Sequence, residues 1–351
     1  MPGLPDELAE LVQKFVNRVR AAGIDILEAI AKRLARDIDD EEWAEKRRAE
    51  FAALRTEVRR RVRVLARYRS ADSASILTTA YTMAQAEAEK AMAATGLAKT
   101  FGAKSEKAIA ALTRDLEGRL AGTDLHILRS AEDIYRQVIG RVTAQGLAGE
   151  YTRRTAAQAA LNMFADRGIT GFVDTAGKVW NLPSYVEMAC RTAAVNASRT
   201  GKIDSMRAVG NDLAIISTSP SACSECADWE GAIISLDGVT PGYQTFAEAE
   251  GSGHLFGPNC GHTADPYVPG VTDASNAPPS DPEMYEARQQ QRYLERGVRQ
   301  WKTRGAVAHL DDKAAAQAQA KVREWQGRLR EHVATNDLKR LSYREQIGKA
   351  I

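Results

Sequence analysis

Apolar residues recur every three or four positions through the first half of the chain, a spacing that predicts helices. In "LAELVQKFVNRV", Leu8, Leu11, Val12, Phe15, Val16 and Val19 share one face, so a helix is expected near the N-terminus. "DIDD" interrupts the pattern, and a second helix is expected from Glu41 to about Arg69. "SADSAS" carries turn and capping residues, which predicts a break before a third helix over about 76–94. "KTFGAKS", "AGTD" and "GLAGE" read as further loops, and no proline occurs between Asp6 and Leu182 to disturb the helices between them.

The period then changes. "GITGFVDTAGKVWNL" (168–182) has glycine punctuation, β-branched residues and an "AG" turn, and predicts a hairpin. A helix entered through Pro183 follows. "DLAIISTS" and "GAIISL" are strand-like apolar runs, and "TFAEAEG" reads as a short helix. Five prolines in the polar stretch 264–282 predict an extended linker, with helices again from Pro282 to the end. The expected fold class is α+β, predominantly α. Its expected parts are a helical region over 1–167, a small α+β module over 168–270, a Pro-rich linker over 271–282 and a helical arm over 283–351.

Composition narrows the functional classes only a little. A net charge of +2 on 351 residues is not polyelectrolyte character. No apolar run reaches the roughly 18 residues of a membrane span, and the first residues lack the pattern of a secretory signal peptide, so a cytoplasmic product is expected. Four cysteines in a reducing compartment do not predict a disulfide framework.

Three features carry candidate chemistry. "CSEC" (Cys223, Cys226) is followed by "CGH" (Cys260, His262), and His254 is an alternative ligand. A CxxC turn and a C-x-H knuckle supply four soft or borderline donors suited to a tetrahedral zinc ion. The competing readings are ordinary buried cysteines, as for Cys190 on its helix, and a redox CxxC. With four protein ligands the metal would be structural, whereas an open position with His254 as base would suit a metal-dependent nuclease. The second feature is "RTEVRRRVRVLARYR", where Arg55, Arg59, Arg60, Arg63 and Arg67 belong to a run of seven arginines against one glutamate. Such a face fits DNA, an acidic protein surface or plain solvation. The third is the order Arg191, Ser217 to Ser219, then Glu248 and Glu250, which is that of an ADP-ribosyltransferase. Its arginine and glutamates lie in helix-like stretches, which does not fit that chemistry. Nucleotide-binding glycine loops and a GxSxG elbow are missing from the sequence.

"GITGFVDTAGKVWNLPSYVEMACRTA", "ACSECADWEGAIISLDG", "GHLFGPNCGHTADPYVPG" and "QRYLERGVRQWK" occur in that order. Over about 165–350 the chain thereby resembles tailed-phage minor capsid proteins of the minor capsid protein 2 type, which look like relatives of Mu F-like head morphogenesis proteins. The resemblance implies a structural virion protein made in the host cytoplasm and present in several copies around the portal vertex. It implies portal or major capsid subunits as partners, with DNA contact in some relatives. It also maps the family's Cys/His motif onto Cys223, Cys226, Cys260 and His262; Gly261 stands where relatives commonly carry a basic residue.

Overall fold

The computed structural model describes residues 4–97, 103–148, 152–168, 170–173, 177, 179–274 and 281–348. The fold is α+β and predominantly α, and no helix among the described residues is long and apolar enough to cross a membrane.

The N-terminal half is helical, as the apolar spacing predicts. Helices α1 (Asp6–Ala35), α2 (Trp43–Ala49), α3 (Phe51–Ala94), α4 (Glu106–Ala148) and α5 (Arg153–Arg167) follow one another. On α1, Leu8, Val12, Phe15, Val16 and Val19 are buried, and Leu11 is partly so. The "DIDD" break is present, with Asp37 in the left-handed region at φ 49°.

Two predicted breaks are absent. "SADSAS" lies inside the unbroken α3, and "AGTD" lies inside the unbroken α4. Both signals are local, and tertiary contacts override them. Arg69, just before "SADSAS", makes a bidentate pair with Asp124 of "AGTD", at 2.8 and 3.1 Å. Thr123 donates back to the Leu120 carbonyl at 2.6 Å, so its hydroxyl is satisfied inside the helix. The second predicted helix is also divided, at Glu50, into α2 and the start of α3. The first four residues of "KTFGAKS" and the last two of "GLAGE" lie outside the described residues.

Strands β1 (Thr170–Val173) and β2 (Val179–Asn181) pair antiparallel, which is the predicted hairpin, although most of its turn lies outside the described residues. Helix α6 (Leu182–Ala208) begins as predicted. The remaining strands form one sheet. Strand β3 (Leu213–Ile216) is followed by the single-turn α7 (Ser224–Ala227), β4 (Ile233–Ser235), β5 (Gln244–Thr245), α8 (Phe246–Gly251) and β6 (Ala264–Pro266). The sheet order is β5-β4-β3-β6, with β3 antiparallel to β4 and β6, and β4 parallel to β5. Residues 264–266 are therefore an edge strand and not the start of a linker. Pro266 is tolerated there because an edge leaves one side of the backbone without a ladder partner. Residues 275–280, half of the predicted 271–282 linker, lie outside the described residues. Helices α9 (Pro282–Ala306) and α10 (Asp312–Thr335) and a 3₁₀ turn over Ser342–Glu345 complete the chain.

The chain packs as two units, each assembled from separated stretches. One comprises 1–12, 70–119 and 187–288 and contains the four-stranded sheet. Its core holds Met92, Met206, Ile216, Ile234, Leu255, Phe256 and Cys226, with Cys223, Cys260 and Trp229 packed against it. The other comprises 13–69, 120–186 and 289–351. There Trp43 is buried and donates its indole N–H to the Leu34 carbonyl at 3.0 Å.

Candidate metal centre

The central strand β3 organises the site. Its C-terminal end is flanked on one side by the residues just before β4 and on the other by those just before β6. Ile216 donates to the Ala232 carbonyl and accepts from the Gly231 amide, while Ser217 donates to the Thr263 carbonyl. Glu230 and His262 are thereby brought to either side of one strand end, although 32 residues separate them.

The CxxC element is a helical turn. Cys223 caps α7 in an extended conformation, and its carbonyl accepts from the Cys226 and Ala227 amides at 3.1 and 3.0 Å. The C-x-H element is delivered by a strained loop. Phe256 and Asn259 both sit in the left-handed region, at φ 62° and 65°, and a bulky residue there costs about 1–3 kcal/mol. The loop is held by turn hydrogen bonds from Gly257 to the His254 carbonyl and from Cys260 to the Gly257 carbonyl. The Asn259 amide also donates to the Thr192 hydroxyl at 3.1 Å.

These elements bring Cys226, Cys260 and His262 together, with one donor atom of each within 4.8 Å of the others. The Sγ atoms of Cys226 and Cys260 are 3.9 Å apart, and Cys260 Sγ is 3.4 Å from His262 Nδ1. A tetrahedron with Zn–S of about 2.3 Å and Zn–N of about 2.0 Å places sulfurs about 3.8 Å apart and sulfur about 3.5 Å from nitrogen. The donor set fits zinc in type and in spacing. Cys223 lies outside this trio but close enough to Cys226 to act on its thiol. His254 is not brought in: it is exposed and pairs with Glu225 at 2.7 Å.

Electrostatics favour a thiolate. The hydrogen bond from Cys226 holds Cys260 well below the usual thiol range, against the effect of burial and helped by His262. The same hydrogen bond, with burial, pushes Cys226 up. Burial lowers His262, but Cys260 and Glu230 outweigh it and the imidazole is raised.

Glu230 is the residue the sequence pattern does not single out. Its Oε1 lies 2.8 Å from His262 Nε2 and accepts the Ser219 amide at 2.6 Å, and both side chains are buried. A carboxylate there keeps the imidazole proton on Nε2 and leaves the Nδ1 lone pair facing Cys260. The only sequence signal was an acidic residue between Trp229 and an apolar strand, which says nothing of its partner.

The other candidates are dispersed. Cys190 is buried, and burial pushes its thiol far up, which makes it inert. Arg191 lies within α6, while Glu248 closes a capping box with Thr245 at the start of α8. On α3, Arg55 pairs with Glu132 at 2.9 Å. Arg59, Arg60, Arg63 and Arg67 are exposed and have no partner among the described residues.

A family model described as phage minor capsid protein 2 matches residues 4–334. The chain belongs to that family. Its relatives include a "Structural protein" of Lactococcus phage LL-H, 27% identical over 218 residues, which are 58% of this chain and 58% of that protein. Another is a "Structural protein" of Lactococcus phage mv4, 36% identical over 99 residues, which are 26% of this chain and 80% of that protein. The chain thus spans 58% of the first relative's length. No solved structure matches. Membership places the chain among phage structural proteins and agrees with the sequence resemblance, which it extends through the N-terminal helices.

Proposed function

We propose that this minor capsid family member is a low-copy component of the phage head, docking portal or major capsid subunits at the vertex through its helical surfaces. A zinc ion held by Cys223, Cys226, Cys260 and His262 would clamp the module that carries the four-stranded sheet. The observation that carries the clamp is the match between the sulfur and nitrogen spacings, 3.9 and 3.4 Å, and those of a tetrahedral zinc site. Strands of two to four residues build little core of their own, and metal binding free energy substitutes for it. Cys223, next to Cys226, supplies the fourth ligand, which closes the coordination sphere and makes the ion structural.

Elemental analysis of freshly purified protein tests the clamp. About one zinc per chain is expected, and Cys260→Ser should abolish it. Absence of stoichiometric metal in the wild type sinks the clamp. Imaging particle vertices with and without this protein tests the location. Density that disappears elsewhere, or nowhere, counts against vertex docking.

A second reading rests on the exposed Arg59, Arg60, Arg63 and Arg67, which would track a DNA backbone. It predicts that DNA affinity falls with salt at about 0.9 log units per log unit of salt for each phosphate neutralised. Charge reversal of the four arginines should remove that slope.

A further inference from the structure

Arg199, on α6, is only 7% exposed. Its guanidinium lies 4.3 Å over the Phe256 ring and 5.7 Å over that of Phe246, and these two rings stack on each other at 5.2 Å. The ion pair available to it is poor: Nη2 comes no closer than 3.9 Å to Glu250, which is itself exposed. Nη1 is buried and has no hydrogen-bond partner among the described residues. A buried cation held so loosely is costly unless something nearby is negative.

The aromatic shelf beneath Arg199 is part of the metal loop. Phe256 packs in the same core as Cys226 and Cys260. Three thiolates around a divalent ion leave the centre net negative, and the buried Glu230 carboxylate adds a further negative charge on the far side of His262.

We infer that Arg199 is the internal counter-ion of the metal–thiolate centre, a positioning residue whose charge, and not its shape, sets the affinity for the metal. This rests on the zinc reading above. It accounts for a buried, under-bonded guanidinium over the ring of Phe256, on the loop that delivers Cys260.

The test uses the full chain and Co²⁺, whose thiolate charge-transfer absorption reports binding directly, with Zn²⁺ affinity obtained by competition against a chromophoric chelator. Arg199→Gln is expected to weaken both metals by about 10–100-fold, the usual effect of losing a residue that supports the ligands. Arg199→Lys keeps the charge, so near-wild-type affinity is expected, which a purely packing role for Arg199 does not predict. Wild-type affinity in Arg199→Gln, or a loss in Arg199→Lys as large as that foreseen for glutamine, overturns the inference. Should Arg199→Gln fail to fold, Arg199→Lys decides alone. A wild type that shows no cobalt–thiolate band overturns the zinc reading itself, whereas a wild type that binds beside an unaffected Arg199→Gln overturns only the counter-ion.

Discussion

Gly201 on α6 faces the backbone of α3. A Cβ built on it would fall well inside contact distance of the Tyr81 carbonyl oxygen and 3.2 Å from the Tyr81 carbonyl carbon. Small residues line both sides of this approach, with Ala80 and Ala84 on α3 and Ala194, Ala197 and Ser198 on α6, all buried. The two helices are then tied by hydrogen bonds that the approach permits. Tyr81 donates to Asp204 at 2.7 Å, and Ser198 donates to the Ala80 carbonyl at 3.3 Å. Gly201→Ala therefore sets two effects against each other. Alanine gains about 1 kcal/mol of helix propensity over glycine. Against this, forcing a methyl into a closed contact costs about 1–3 kcal/mol, and stretching the hydrogen bonds beside it adds about 1 kcal/mol. The net expectation is a loss of about 1–3 kcal/mol. Gly118 on α4 serves as the control, because its Cβ meets nothing within 4 Å and the residue is exposed. Gly118→Ala has only the propensity gain, so it should stabilise by up to about 1 kcal/mol. Urea unfolding followed by far-UV circular dichroism separates the two variants. Thermal midpoints should move in opposite directions, by about 2–4 °C per kcal/mol for a unit of this size. If Gly201→Ala is as stable as wild type, or more so, the close approach of the two helices is wrong.

Tyr81 has its hydroxyl pushed up to about 12 from 10.0, first by burial and then by its hydrogen bond to Asp204. A raised pKa contributes stability that is complete below pH 10 and is lost as pH rises towards 12. Urea midpoints of wild type should therefore fall more steeply over that window than those of Tyr81→Phe; parallel curves would falsify this. In the unit containing the C-terminal turn, Glu345 is buried with Arg340 at 2.7 Å and Gln326 at 2.8 Å. These partners outweigh burial and hold its carboxyl below the ordinary 4.5. Its stabilisation is accordingly complete above pH 4.5 and lost as pH falls below that value. Glu345→Ala should cost about 3 kcal/mol at neutral pH, the low end for a buried pair because Arg340 is a third exposed. A change below 1 kcal/mol on denaturant titration counts against the buried network. Arg59→Glu, Arg63→Glu and Arg67→Glu should each alter stability by no more than about 0.5 kcal/mol, since these side chains lack partners among the described residues. A cooperative loss in the triple variant would show that this face is structural.

The long helices are written in the chain because a 3.6-residue apolar period is a local property, and the buried positions of α1 follow it almost residue by residue. Each candidate ligand pair lies within a single turn, where spacing alone constrains geometry, but packing decides which donors meet: Cys226, Cys260 and His262 do, and Cys223 lies outside that trio. The sequence pattern also carried the family, through several motifs in a fixed order. Other features required partners distant in sequence. The predicted breaks at "SADSAS" and "AGTD" fail because Arg69 and Asp124, 55 residues apart, satisfy each other across α3 and α4. Glu230 becomes the partner of His262 only when β3 carries both of its neighbouring strands, and Gly201 matters only because α3 passes against it. Arg199 is an ordinary helical arginine until folding buries it over Phe256. Local periodicity fixes which face of a segment is apolar. Which charges meet, and which backbones touch, is settled by packing between stretches whose order along the chain says nothing of their distance.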